Sequence, residues 1–201
     1  MYTLYGSFTS RAFRVAWMLE EIGQPYDVVV SGPHGAAIMA VNPTGKIPAL
    51  AVEGKILTDS VAIMTYLGDR HGAMTHPAGT LDRAEQDALT HTLNDEFDSL
   101  LWTATRLGRI LPEEYLAPQA IPGLKWEFAR HLDRLAERMK GPFLQGDEMT
   151  HADILATHCL NWAAVAKFPM ENEKMRSYAK TMTRRDAYRR ARKKMEAAAE
   201  S

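Results

Sequence analysis

Three short stretches hold the residue types that do chemistry. Gly6-Ser7-Phe8-Thr9-Ser10 places three hydroxyls in a small polar loop just ahead of an apolar helical pattern. A hydroxyl there either caps a free backbone N–H or donates to an anion that the helix start already favours. Asn42-Pro43-Thr44-Gly45-Lys46-Ile47-Pro48 runs into the apolar Ala49-Leu50-Ala51-Val52. Pro43, Thr44 and Gly45 make a turn, with glycine supplying the positive φ that such a turn often needs. Pro48 stands where a strand should begin and has no N–H to give a sheet. A cis Ile47–Pro48 bond would turn the N–H and C=O of Ile47 outward, ready to pair with an extended peptide; a trans proline starting an edge strand is the commoner form. Asp59-Ser60 opens the next helical pattern, where serine serves as an N-cap and the helix start attracts anions.

The elements that must position these stretches follow from pattern. Tyr2–Tyr5 and Tyr26–Val30 read as strands of aromatic and β-branched residues. Between them a helix carries Phe13, Trp17 and Ile22 and stops at Gly23 and Pro25. Ser31-Gly32-Pro33-His34-Gly35 is a loop, followed by a short helical piece to Val41. Ala49–Val52 and a strand ending at Thr58 form a hairpin about Glu53-Gly54, and a helix runs from Ser60 to about Arg70. A right-handed βαβ crossover makes the first strand pair parallel and the tight turn makes the last pair antiparallel. This is a thioredoxin-like α/β layout over residues 1–72. His71 to Thr80 is a linker rich in turn residues.

Residues 80–201 show no convincing strand and read as an all-α helical bundle. Leu81 to about Leu107 is one long helical pattern without Gly or Pro. Pro112, Pro118 and Pro122 break the next section, and Gly123–Lys140 is helical with Leu124, Phe128, Leu132, Leu135 and Met139 on one face. Thr150-His151-Ala152-Asp153 opens another helix with a hydroxyl cap and an acid three residues on. Cys159 lies in that helix beside Ile154, Leu155 and Trp162 and is expected to be a buried structural thiol.

Composition sets bounds. The 201 residues are 46% hydrophobic and 24% charged, as in a globular protein. Lys+Arg 24 against Asp+Glu 25 leaves a net charge of −1, which argues against a chain-wide field for nucleic acid or membrane. Lys174–Lys194 holds ten basic residues and one acid, Asp186. Aromatics that could stack bases are sparse there, so the run reads as a solvated helix face. No apolar run is long enough to span a bilayer. Met1–Tyr5 has neither a basic nor an apolar leader segment, and a cytoplasmic location is expected. One cysteine permits no intrachain disulfide, Cys-x-x-Cys pair or cysteine-rich metal site.

Asn42-Pro43-x-Gly45-Lys46-Ile47-Pro48-Ala49-Leu50, the hairpin after it, and Asp59-Ser60-Val61-Ala62-Ile63 closely resemble the N-terminal domain of cytosolic glutathione transferases. Thr150-x-x-Asp153 resembles the start of that family's buried core helix. Arg185-Asp186-Ala187-Tyr188 resembles its Arg-Pro-Ala-Tyr, with Asp for Pro. Ser7-Phe8-Thr9-Ser10-Arg11 resembles the Ser-x-Pro-Cys-Arg frame of theta- and delta-type members and the Ser-Ser-Cys-Ser frame of zeta-type members.

The resemblance implies glutathione as co-substrate, no metal, and a homodimer through the third and fourth helices of the family. It implies that Ile47 and Pro48 meet the peptide, that Ser60 meets the γ-glutamyl carboxylate and that Asp59 meets its ammonium. Lys46 and His34 are candidates for the glycyl carboxylate. Ser7 is the expected thiolate partner, with Ser10 nearer the phi-type serine, Thr9 at the beta-type cysteine position, and Tyr5 a further option on the first strand. Just one of the loop serines is expected to cap the first helix, which leaves the others free. Trp102, Arg106 and Trp126 are candidates for an electrophile pocket between the domains; their helical spacing also fits core or interface positions. The expected activity is conjugation of glutathione to a small electrophile. The rivals are a glutathione-dependent isomerase, peroxidase or reductase on the same fold, and a non-catalytic binding or assembly module. A protein-thiol mechanism is disfavoured because no cysteine stands at positions 7, 9 or 10.

Overall fold

A computed structural model describes residues 1–200. The described chain forms two compact units, residues 1–80 with the described residues from 183 on, and residues 81–182.

The first unit begins with strand β1 (Tyr2–Gly6), helix α1 (Ala12–Glu21), strand β2 (Tyr26–Val30) and the short helix α2 (Ala36–Met39). It continues through β3 (Ala49–Val52), β4 (Lys55–Thr58) and helix α3 (Ser60–His71). The sheet order is β2-β1-β3-β4, with β1 and β2 parallel and the two later pairings antiparallel. This is the thioredoxin-like arrangement expected of the βαβ and ββα order. Leu4 and Leu50 face each other in register and are fully buried. They meet one helix layer through the alternation of strand faces.

The second unit is helical. Helix α4 (Leu81–Leu93) runs through a π turn at Asn94–Asp98 into α5 (Ser99–Thr105), which ends in a second π turn at Arg106–Ile110. The single long helix read from the sequence is therefore one helical run that widens at Asn94–Asp98 and ends in a second π turn at Arg106–Ile110. Helices α6 (Ile121–Arg138), α7 (His151–Val165) and α8 (Glu173–Met182) complete the unit. Its core is aromatic at the centre: Phe97, Phe128 and Phe168 meet edge to face at 5.2 and 5.3 Å. Helix α7 is buried along most of its length, Cys159 included. A helix buried on most of its faces in this way belongs at the middle of a bundle.

The last helix, α9 (Asp186–Glu200), packs within the first unit. In chain order these residues continue the expected helical region 80–201; by packing they lie on α1. Tyr188 sets its ring edge-on to Phe13 and Trp17 at 4.9 and 5.0 Å. Arg185 grips both carboxylate oxygens of Glu21 at 2.6 and 2.8 Å, and Arg190 bonds Glu20 at 2.8 Å. Lys194 reaches the Tyr26 carbonyl and lies over the Tyr26 ring. Three basic residues of the run at the end of the chain thus fasten α9 to the strand–helix layer. Because α9 covers one side of α1 and the sheet another, α1 is buried from Ala12 to Leu19.

Candidate functional site

Register brings the expected residues to one end of the sheet. Tyr5 pairs with Ala49, and Ala49 pairs with Thr58. One residue or two beyond that row lie Ser7 after β1, Ile47 and Pro48 before β3, and Asp59 and Ser60 after β4. Gly6 pairs with Val30 at the end of β2, so the Ser31–Gly35 loop leaves from the same end. Four loops from four strands therefore line one sheet end, at about 4.8 Å from strand to strand.

The loop after β1 is held by Ser10. Its hydroxyl donates to the Ser7 carbonyl at 2.8 Å and accepts the N–H groups of Ala12 at 3.2 Å and Ser7 at 3.4 Å. Helix α1 starts at Ala12, two residues beyond Ser10, yet Ser10 still satisfies one of its free N–H groups. Gly6, at φ 153°, lets the chain pass so close to Ala12 that a Cβ would collide with it. Ser7 is half-buried, and among the described residues nothing engages its hydroxyl. Thr9 is exposed, and Tyr5 lies inside the strand.

The turn before β3 is built on Asn42, which stands in the motif but is given no role there. Asn42 is buried; its amide donates to the Lys46 carbonyl at 2.9 Å and its Oδ1 accepts from Thr44 N–H and hydroxyl at 3.2 and 2.9 Å. His34, at φ 60°, donates its backbone N–H to the Gly45 carbonyl at 2.8 Å. Its imidazole lies against Gly45, where any Cβ would strike the ring. Lys46 and His34 are both exposed beside this turn. The Ile47–Pro48 peptide is cis. Among the described residues, neither the N–H nor the C=O of Ile47 has a hydrogen-bond partner.

At the start of α3 the roles differ from a serine N-cap. Asp59 is the cap, at φ 68°, and its Oδ1 accepts from Val61 N–H at 2.8 Å and Ala62 N–H at 3.0 Å. The Ile63 N–H goes to the Asp59 carbonyl at 2.9 Å. Of the first four amides of the helix, only that of Ser60 has no partner among the described residues. Ser60 is buried, and its Oγ accepts from Nη1 of Arg14 at 3.2 Å. Arg14 is fully buried on α1. The only signal for it in the sequence is a guanidinium placed between Phe13 and Val15 in an apolar stretch.

Residues 9–70 match the family model for the glutathione S-transferase N-terminal domain. The chain is 29% identical over 160 residues to a maleylacetoacetate isomerase of Rhizobium meliloti, covering 73% of each protein. It is 29% identical over 146 residues to the glutathione S-transferase GstA of Escherichia coli, covering 69% of this chain and 67% of that one. By that match residues 9–70 form a glutathione S-transferase N-terminal domain, and the chain as a whole has the glutathione S-transferase fold. A glutathione transferase of Methylococcus capsulatus shares its fold over 98% of this chain and 99% of that one, with a TM-score of 0.83 at 24% identity. A sphingomonad glutathione S-transferase solved with glutathione has a TM-score of 0.82 at 24% identity, over 96% and 98% of the two chains.

Trp102, Arg106 and Trp126 belong to the helical unit and are exposed, Trp126 with its ring under the Arg130 guanidinium at 4.7 Å. They are not core residues. No group of three or more His, Cys, Asp or Glu among the described residues is arranged to hold a metal ion. No described helix is long and apolar enough to cross a membrane.

Proposed function

We propose that this chain is a glutathione S-transferase family member that binds glutathione along the sheet end and uses its thiolate as a nucleophile on a small electrophile. The observation that carries the reading is the row of uncommitted groups in register: the Ser7 hydroxyl, the Ile47 N–H and C=O, and the Ser60 N–H. An extended tripeptide spans roughly 10–11 Å, about the distance across two strand spacings. Ile47 pairs with the peptide as an added strand would. The Ser60 N–H and hydroxyl receive the γ-glutamyl carboxylate, and exposed Asp59 meets the ammonium. Lys46 or His34 answers the glycyl carboxylate.

The sulfur then falls to Ser7. A free thiol has a pKa of about 8.5, so only a few per cent is thiolate at neutral pH. A hydroxyl donating to a charged acceptor contributes about 1.5–3 kcal/mol, and the start of α1 adds on the order of 0.3–1 kcal/mol. Together they lower the pKa by roughly 1.3–3 units at about 1.36 kcal/mol each, which makes about 40% or more of the bound thiol reactive at pH 7. Ser7 is preferred to Ser10 because Ser10 already serves the loop backbone with both proton and lone pairs.

A second reading has its own support. The R. meliloti relative is named a maleylacetoacetate isomerase, and a second relative, from Caenorhabditis elegans, is named a probable one at 24% identity. In an isomerisation the thiolate adds to a carbon–carbon double bond, rotation follows, and elimination returns the same thiolate. Conjugation consumes thiol and isomerisation does not. Titrating free thiol during turnover separates the two readings. Absence of retention on immobilised glutathione, together with no glutathione-dependent turnover on aryl halides or activated enones, would overturn both.

A cytoplasmic homodimer is part of the same proposal. It rests on the likeness of residues 9–70 to the glutathione S-transferase N-terminal domain. A monomer mass in sedimentation at micromolar concentration would remove it.

A further inference from the structure

We propose that Arg14 is a positioning residue for glutathione: from beneath Ser60 it fixes the direction of the hydroxyl and makes it a stronger donor. This rests on the proposed glutathione site and adds a residue to it. Arg14 touches no ligand in this scheme; it acts through Ser60.

The geometry gives the reasoning. Arg14 Nη1 donates to Ser60 Oγ at 3.2 Å, and both side chains are buried. A guanidinium has donors only and stays protonated in proteins. The Ser60 oxygen is therefore held as an acceptor on its inner side. Among the described residues no protein acceptor takes the Ser60 proton. With the inner lone pair occupied, the O–H is left to point away from Arg14. The Ser60 amide, also without a partner, opens at the same place. A carboxylate set there accepts both bonds in the two-point manner that helix starts offer anions. A charged donor on the oxygen polarises the O–H, so each bond in the chain Arg14 to Ser60 to carboxylate strengthens the other. Asp59 leaves the arrangement free, because it takes the Val61 and Ala62 amides and spares that of Ser60.

The test uses a ratio measured within each variant, so a loss of folded fraction cancels. Calorimetry gives the Kd of glutathione and of the analogue whose γ-glutamyl α-carboxylate is converted to the amide. The wild type should prefer glutathione by roughly tenfold or more, the size of a charge-assisted pair of bonds. Ser60→Ala should lose most of that preference. Arg14→Lys, which keeps a charge with a different reach, and Arg14→Gln, which keeps an N–H donor without charge, should each lose a similar share. Arg14→Gln combined with Ser60→Ala should be no worse than Ser60→Ala alone. If both Arg14 variants keep the wild-type preference, or if the double variant adds the two losses, Arg14 serves the fold only and this proposal is overturned by itself. A wild type that binds neither peptide overturns the glutathione site and this proposal with it.

Discussion

Two helix starts in this molecule use an acid in opposite ways. At α3, Asp59 is exposed, caps two amides and leaves the Ser60 N–H open. At α7, Asp153 is fully buried and accepts from Leu144 N–H and Thr150 N–H at 2.9 Å each, from the Tyr178 hydroxyl at 2.8 Å and from the Thr150 hydroxyl at 3.4 Å. At both, backbone N–H groups converge on a carboxyl oxygen. The difference lies in who answers the donors. Around Asp153 the protein closes the ring of bonds and obtains a fold anchor that ties a loop and α8 to α7. Around Asp59 it leaves a donor unanswered, and that is what a ligand needs. The loop before α1 shows both uses side by side, with Ser10 closed on the backbone and Ser7 open.

The largest effect should come from the closed start. Asp153→Ala strands several buried donors, each costing about 1–3 kcal/mol, so a loss of about 3 kcal/mol or more is expected in urea unfolding. Glutathione affinity per folded molecule should stay within about twofold. Burial pushes the Asp153 carboxyl above its usual range, although the hydrogen bonds around it pull the other way. The native state then holds a proton that the unfolded state has released above about pH 3.9. Stability from this group is full below that pH and declines as pH rises through the folded pKa. The deficit of an Asp153→Asn variant should therefore be larger near pH 4 than at neutral pH. A deficit that grows with pH would show that the bonds to the carboxylate outweigh its burial.

The open groups should reverse the pattern, with chemistry changing and stability holding. Ser7→Ala should lower kcat at neutral pH by roughly 10- to 100-fold, the worth of one charge-assisted bond, and the rate should recover as pH rises towards the free thiol pKa. An ultraviolet titration of bound thiolate reads the same shift directly. An unchanged titration would move the role to Thr9 or Tyr5. Asp59→Asn is milder. Asparagine tolerates the positive φ and still offers a carbonyl to the cap, so only the charge is lost. The glutathione KM should rise about three- to tenfold with kcat nearly constant, as for binding shared by ground and transition states. A constant KM would take Asp59 out of the site.

Most of the sheet end was legible beforehand because its markers are covalent. Proline and glycine declare turns wherever they stand, so Pro43, Gly45, Pro48 and Gly54 placed the strands, and strand order then aligned the loops. What stayed hidden was set by packing. Serine and aspartate cap almost equally well, and it is the chain's path at Asp59 that makes the acid the cap. Arg14 reads as one more charge on an amphipathic helix until α9 is seen to cover that helix as well. Nothing in Asn94–Asp98 or Arg106–Ile110 announces a π turn. The exposure of Trp126 could have been read, since it lies off the stripe of Phe128, Leu132 and Leu135 that is buried.

Ser10→Ala should give the smallest effect and the sharpest comparison with Ser7. The Ser10 hydroxyl closes the loop by donating to the Ser7 carbonyl and accepting the Ala12 amide, with the longer Ser7 amide bond beside them. Removing it leaves groups that are only partly buried, so water takes over much of the loss. The expected cost is about 1 kcal/mol, as for a lost helix cap, or a fall of a few degrees in Tm for a chain this size. The thiolate titration should stay in place, because Ser10 has no proton to spare for sulfur. If Ser10→Ala shifts that titration while Ser7→Ala does not, the two serines exchange roles, and the closed group of this loop is the one that opens when glutathione binds. If both shift it, the loop acts as one unit, with Ser10 holding Ser7 in place. A rise in kcat pKa that returns to the wild-type value in Ser10→Thr, which restores the hydroxyl, would identify that coupled case.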